Sequence, residues 1–137
     1  MLFRSMAIDL LSDRPPLHLY RHDLESLFWV MVWHINRYDN GEFRGNLALY
    51  ENWTRASTPE LAQFKRAYMH EGVFEAPESY QAFKALISHM RFAFRKGRTL
   101  LSDWEQFGGF ELDMSTLNGS VTFDVLENLF TLHRPPA

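Results

Sequence analysis

The chain has 137 residues, of which 46% are apolar and 23% charged, with 12 Phe and 4 Trp. That composition fits one folded domain with a real core and excludes a disordered chain. The net charge of −3 and the absence of a basic half exclude a typical nucleic-acid-binding domain. Cysteine is absent, which rules out a disulfide scaffold and a thiolate zinc site.

No apolar run is long enough to span a bilayer. The opening residues lack a signal segment, and Asp9 and Asp13 argue against a transit peptide. An intracellular protein without a membrane segment is expected. On that expectation the sequons at Asn52 and Asn118 are chance matches.

Residues 5–12 read as a short helix stopped by Pro15-Pro16, which cannot continue it. Residues 23–37 are the clearest element. Asp23 is placed as N-cap and Glu25 in the first turn, followed by a run from Leu27 to Trp33 with no polar side chain. Apolar all round, this helix is expected to be central and buried, with Trp29 and Trp33 in the core. Tyr38-Asp39-Asn40-Gly41 ends it with turn chemistry, and 42–57 look loop-like, with a short helix near 47–53.

Thr58-Pro59-Glu60 opens the next helix, with Thr58 as cap and Leu61, Phe64 and Tyr68 as its stripe. Pro77-Glu78 opens another, striped by Tyr80, Phe83, Leu86, Ile87, Met90 and Phe94 and stopped by Gly97; residues 99–106 add a turn or two. After an irregular stretch from Gly108 to Gly119, Thr122 caps a last helix, with Val121 and Leu126 as a staple and Phe123, Leu126, Leu129 and Phe130 as its stripe. The sum is a single all-α domain over residues 1–137.

Nucleophile-elbow and phosphate-loop patterns are missing. His18 and His22 have the i, i+4 spacing of a metal pair, but no third ligand is evident and the prolines upstream break the helix. Both are expected on the surface. Arg91-Phe92-Ala93-Phe94-Arg95-Lys96-Gly97-Arg98 could be a phosphate-binding patch; the better reading places the cations near a helix C-terminus and the aromatics in the core. Arg21-His22-Asp23 looks like the kinase H-R-D triplet with two letters exchanged. The residue five after Asp23 is Phe28, not the magnesium-binding Asn, and D-F-G does not occur.

The run from Ser5 to Leu11, then His18-Leu19-Tyr20-Arg21-His22-Asp23-Leu24-Glu25-Ser26-Leu27-Phe28-Trp29-Val30, resembles the fungal-type protein kinase family. That family shows F-M-A-I-E-L-L, a short spacer, then H-x-Y-R-H-D-L-E-S-F-F-Y-V. The second run also resembles the R-R-D-D-L-E-S-L-G stretch of casein kinase I.

The resemblance implies a helical C-terminal subdomain of a kinase-like large lobe around one buried helix. It places Asp9 where kinases carry the A-P-E acid, pairing with an arginine of the late helices: Arg91, Arg95 or Arg98. It places Asp23 at the aspartate that opens the central helix and bonds the catalytic loop. No catalytic, cofactor or metal residue is carried over. ATP and magnesium enter only if the segments that bind them lie upstream.

The expected function is that of a kinase-domain fragment, inactive alone. Partner docking or self-association would use an exposed apolar face. The alternatives are one part of a complete serine/threonine kinase, or an unrelated helical adaptor.

Overall fold

The computed structural model describes residues 5–39, 42–43, 53, 55–71 and 78–134. Apart from turns and one minimal ladder, these residues are helical. A 3-10 turn at Ile8–Leu11 opens the fold, and the chain beyond it shows no regular structure up to Leu19. Helix α1 runs Tyr20–Arg37. Strand β1 (Tyr38–Asp39) pairs antiparallel with β2 (Glu42–Phe43), Tyr38 opposite Phe43. Helix α2 spans Thr58–Glu71. A 3-10 segment, Glu78–Phe83, leads straight into α3, Lys84–Phe107, and α4 is Phe123–Leu132. The short helix expected near 47–53 lies outside the described residues except for Trp53, which is buried.

Helix starts are set by small local bonds, and two differ from the sequence reading. Helix α1 begins at Tyr20, ahead of Asp23, because His22 closes its first turn. The His22 N–H donates to the Leu19 carbonyl at 3.0 Å, and the ring Nδ1 accepts from the Leu19 N–H at 2.9 Å. Helix α2 is capped one residue before Thr58: Ser57 Oγ accepts from the Glu60 N–H at 3.4 Å and donates to Glu60 Oε1 at 2.8 Å. Thr122 caps α4 as expected, accepting from the Val125 N–H at 3.0 Å, and Val121 and Leu126 are both buried.

Gly97 does not stop α3. The helix runs on to Gly108, whose φ of 63° is a conformation that suits glycine. Gly97 instead makes room: a Cβ there would lie 3.0 Å from Leu117 Cδ1 and 3.3 Å from Val121 Cγ2. The turn at 113–121 can therefore lie directly on the helix. That turn is tied by Asp113, which accepts from the Ser115 N–H, Ser115 Oγ and Thr116 Oγ1. The Asn118 side chain is engaged too, accepting from the Asp113 N–H and donating to the Glu111 carbonyl.

The core joins Phe28, Trp29 and Val32 of α1 to Leu61, Tyr68 and Met69 of α2, and to Leu86, Ile87, Met90 and Phe94 of α3. Ring centroids of Phe28 and Phe94 are 5.3 Å apart, and those of Trp29 and Trp53 are 5.6 Å apart. The long helix α3, rather than α1, packs on all three other helices. With its partners on one side, α1 leaves Leu27 (42%) and Val30 (50%) exposed, so it is not wrapped all round. Trp33 is only partly buried. Phe123 and Phe130 of α4 and Phe92 of α3 are likewise exposed, because no further layer covers those faces. Among the described residues no helix is long and apolar enough to cross a membrane.

Replacing Gly97 separates two opposing effects. Gly97→Ala gains about 1 kcal/mol of helix propensity, offset by its contact with the Leu117 methyl, and should move the denaturation midpoint little. Gly97→Val overfills the same contact and should lose about 1–3 kcal/mol.

Candidate functional site

The chemistry of this fold concentrates around the opening 3-10 turn. Asp9 Oδ1 accepts from Arg98 Nη1 at 2.9 Å and Oδ2 from Arg21 Nη1 at 3.1 Å. Arg98 comes from α3 and Arg21 from the first turn of α1. Arg21 continues the chain of bonds, its Nε donating to the Met114 carbonyl at 2.8 Å. His22 stands behind the carboxylate. Its Nδ1 accepts from the Leu19 N–H, so Nε2 carries the proton, 3.6 Å from Asp9 Oδ2. That is too long for a hydrogen bond, and the ring acts through space. Burial pushes the Asp9 carboxyl up, but His22, Arg98 and Arg21 outweigh it and hold the group well below the usual carboxylate range.

A second buried set holds the same segment from below. Glu25 Oε2 accepts from the Ile8 N–H at 2.7 Å and from Trp29 Nε1 at 2.9 Å. Lys65 of α2 is 0% exposed; its Nζ donates to the Met6 carbonyl at 2.6 Å and lies 5.2 Å from the Trp29 ring centroid. Burial pulls the Lys65 ammonium down to about 7, against the opposing pull of the Glu25 carboxylate.

Asp9 therefore meets Arg98, one of the three arginines considered for it. Arg91 instead donates to the Tyr68 and Met69 carbonyls at 3.2 and 3.3 Å, satisfying acceptors in the last turn of α2. Arg95 lies over Phe92, 5.4 Å from the ring centroid. Asp23 does not cap α1. Its carboxylate takes a 2.7 Å contact from His18 Nε2, and both side chains are exposed. His22, expected on the surface, is buried. Among the described residues no three His, Asp or Glu side chains are grouped to hold a metal ion.

Sequence reading missed Arg21, Glu25 and Lys65 as buried charges. A signal existed for Lys65. It sits four residues after Leu61 and four before Met69, on the apolar side of α2. Glu25 carries the same signal, one helical turn before Trp29.

Beside Asp9 opens a cavity of about 650 Å³. Its lining includes Arg14, Arg21, Arg66 and Arg98, together with His70, Asp103 and Glu105. Burial lowers the pKa of His70, and Arg98, Arg95 and Arg91 lower it further, against Glu71.

All the groups that hold the opening turn from α1 lie in the first part of the chain. Residues 3–35 match the family model described as Fungal protein kinase. The match covers a short part of the chain and includes Asp9, Arg21, His22 and Glu25. No curated protein and no solved structure matches the chain. The fungal kinase likeness thus rests on a segment that carries part of the buried charge network, without Lys65 and Arg98.

Asp9→Asn strands two guanidinium groups and should cost about 3–5 kcal/mol. Because the folded-state pKa of Asp9 is depressed, its contribution is present above the ordinary carboxylate pKa and lost as pH falls through the folded value. Melting temperatures of variant and parent should therefore converge in acid.

Lys65 has the opposite sign of dependence. Its folded pKa of about 7 lies below the unfolded 10.5, so the unfolded chain binds more protons between those values. Stability should rise with pH across that window, by at most about 1.4 kcal/mol per pH unit from this group. Denaturation of Lys65→Met at pH 7 and 9 should show a flatter dependence than the parent.

Proposed function

We propose that this chain forms the helical C-terminal subdomain of a fungal-type protein kinase large lobe, and that by itself it docks a protein partner rather than transferring phosphate. The observation that carries the reading is the pairing of Asp9, inside the matched span, with Arg98, 89 positions later on α3. The resemblance gives the A-P-E acid that kind of partner, on a late helix. In this reading Asp9 locks the end of an activation segment onto the lobe. Neither an H-R-D-x-x-x-x-N loop nor D-F-G occurs in these 137 residues, so the catalytic aspartate and the magnesium ligands of phosphoryl transfer are not among them.

One observation favours a second reading, in which the chain is part of a complete serine/threonine kinase. Tyr20, Leu27 and Val30 share one face of α1 and are exposed, and the Tyr20 hydroxyl accepts from the Phe123 N–H, with exposed Phe123 beside it. Such a face suits a covering segment. Without a cover it favours self-association.

Incubation of the purified chain with ATP, magnesium and a serine-containing peptide should transfer no phosphate; measurable transfer overturns the inactive reading. Light scattering should show association that Leu27→Glu with Val30→Glu abolishes. A monodisperse parent monomer overturns the self-association.

A further inference from the structure

We propose that the cavity beside Asp9 binds a phosphoryl dianion carried on a peptide, a phosphoserine or phosphothreonine with a basic residue nearby. The argument starts from charge. Two guanidinium groups, Arg21 and Arg98, share the single carboxylate of Asp9, which leaves one positive charge over. Arg98 Nε is buried and has no hydrogen-bond partner. Arg14 and Arg66 line the same cavity, and among the described residues neither guanidinium makes an ion pair or hydrogen bond. The planar fork of arginine fits phosphate oxygens two at a time.

The acidic part of the lining narrows the ligand class. Asp103 and Glu105 face the same space, and the chain carries a net charge of −3. A nucleic acid or an anionic membrane would press many negative charges against those carboxylates. A single dianion followed by a cationic side chain suits a lining that carries both signs of charge. The volume of about 650 Å³ exceeds what a free phosphate fills and leaves room for the chain that carries it. None of this depends on the kinase reading, because it uses only the charged groups and the cavity of this chain.

The test uses the full chain with four probes: a phosphoserine peptide with a lysine two residues away, its unphosphorylated form, inorganic phosphate, and anionic lipid vesicles. Calorimetry should show the phosphopeptide binding at least about tenfold more tightly than the other peptide or inorganic phosphate. The His70 ring should titrate at higher pH in the complex, since the anion offsets Arg98, Arg95 and Arg91. Arg14→Gln with Arg66→Gln should keep the melting temperature and lose at least about tenfold in affinity. Equal affinity for both peptides, or undiminished binding by the double variant, overturns the site. Inorganic phosphate bound as tightly as the phosphopeptide, or vesicles bound in preference to it, overturns the peptide assignment.

Discussion

A single carboxylate, that of Asp9, holds two guanidinium groups, one 12 and the other 89 positions later in the chain, and the rest of the architecture arranges itself around that contact. Arg21 brings α1 and, through the Met114 carbonyl, the late turn; Arg98 brings α3. A buried pair of this sort is poor evidence of net stabilisation, since desolvating the ions costs about what their attraction returns. Its effect is on uniqueness. Any other seat for the opening turn would leave at least one buried charge without its partner.

The neighbouring Glu25–Lys65 set works differently. Glu25 is satisfied by two N–H donors, one from the backbone of Ile8 and one from Trp29. Lys65 reaches a backbone carbonyl and an aromatic face. Peptide groups of a segment that is neither α-helix nor strand thus find partners in side chains, which is what buried irregular backbone needs. Charges set against an aromatic core are expensive to desolvate, and the lowered Lys65 pKa is the visible sign of that cost.

Much of the fold was legible in the sequence, for reasons that can be stated residue by residue. The helical segments, the Thr122 cap and the Val121–Leu126 staple follow from periodicity and local bonding alone. Two misread helix starts turn on local bonds, of His22 to Leu19 and of Ser57 to Glu60, where more than one residue could cap; the other misread features depend on what packs from elsewhere. Gly97 has the signature of a helix stop, and only the approach of Leu117 shows that the helix continues and uses the missing side chain. The run from Leu27 to Trp33 shows no polar face, yet neighbours cover one side of it only. At the site, the resemblance pointed to Asp9. It did not point to Arg21, because a charged residue next to a predicted cap reads as surface until its partner is known. The His22 ring was hidden for the same reason: its duty is to close the turn that the sequence assigned to Asp23.

The bonds that seat the opening turn differ greatly in how much chain they enclose. Glu25 closes 17 positions, Lys65 closes 59, Arg98 closes 89, and the Arg21–Met114 link that reinforces them closes 93. Loop entropy grows only logarithmically, so enclosing 93 positions rather than 59 costs about 0.4 kcal/mol more. Once the first long loop is closed, the others follow with little added entropic penalty. The opening turn, α2, α3 and the late turn are therefore wired as one cooperative unit: they open together, and amide exchange at Ile8 reports on the integrity of a helix whose Arg98 is 90 residues away in sequence.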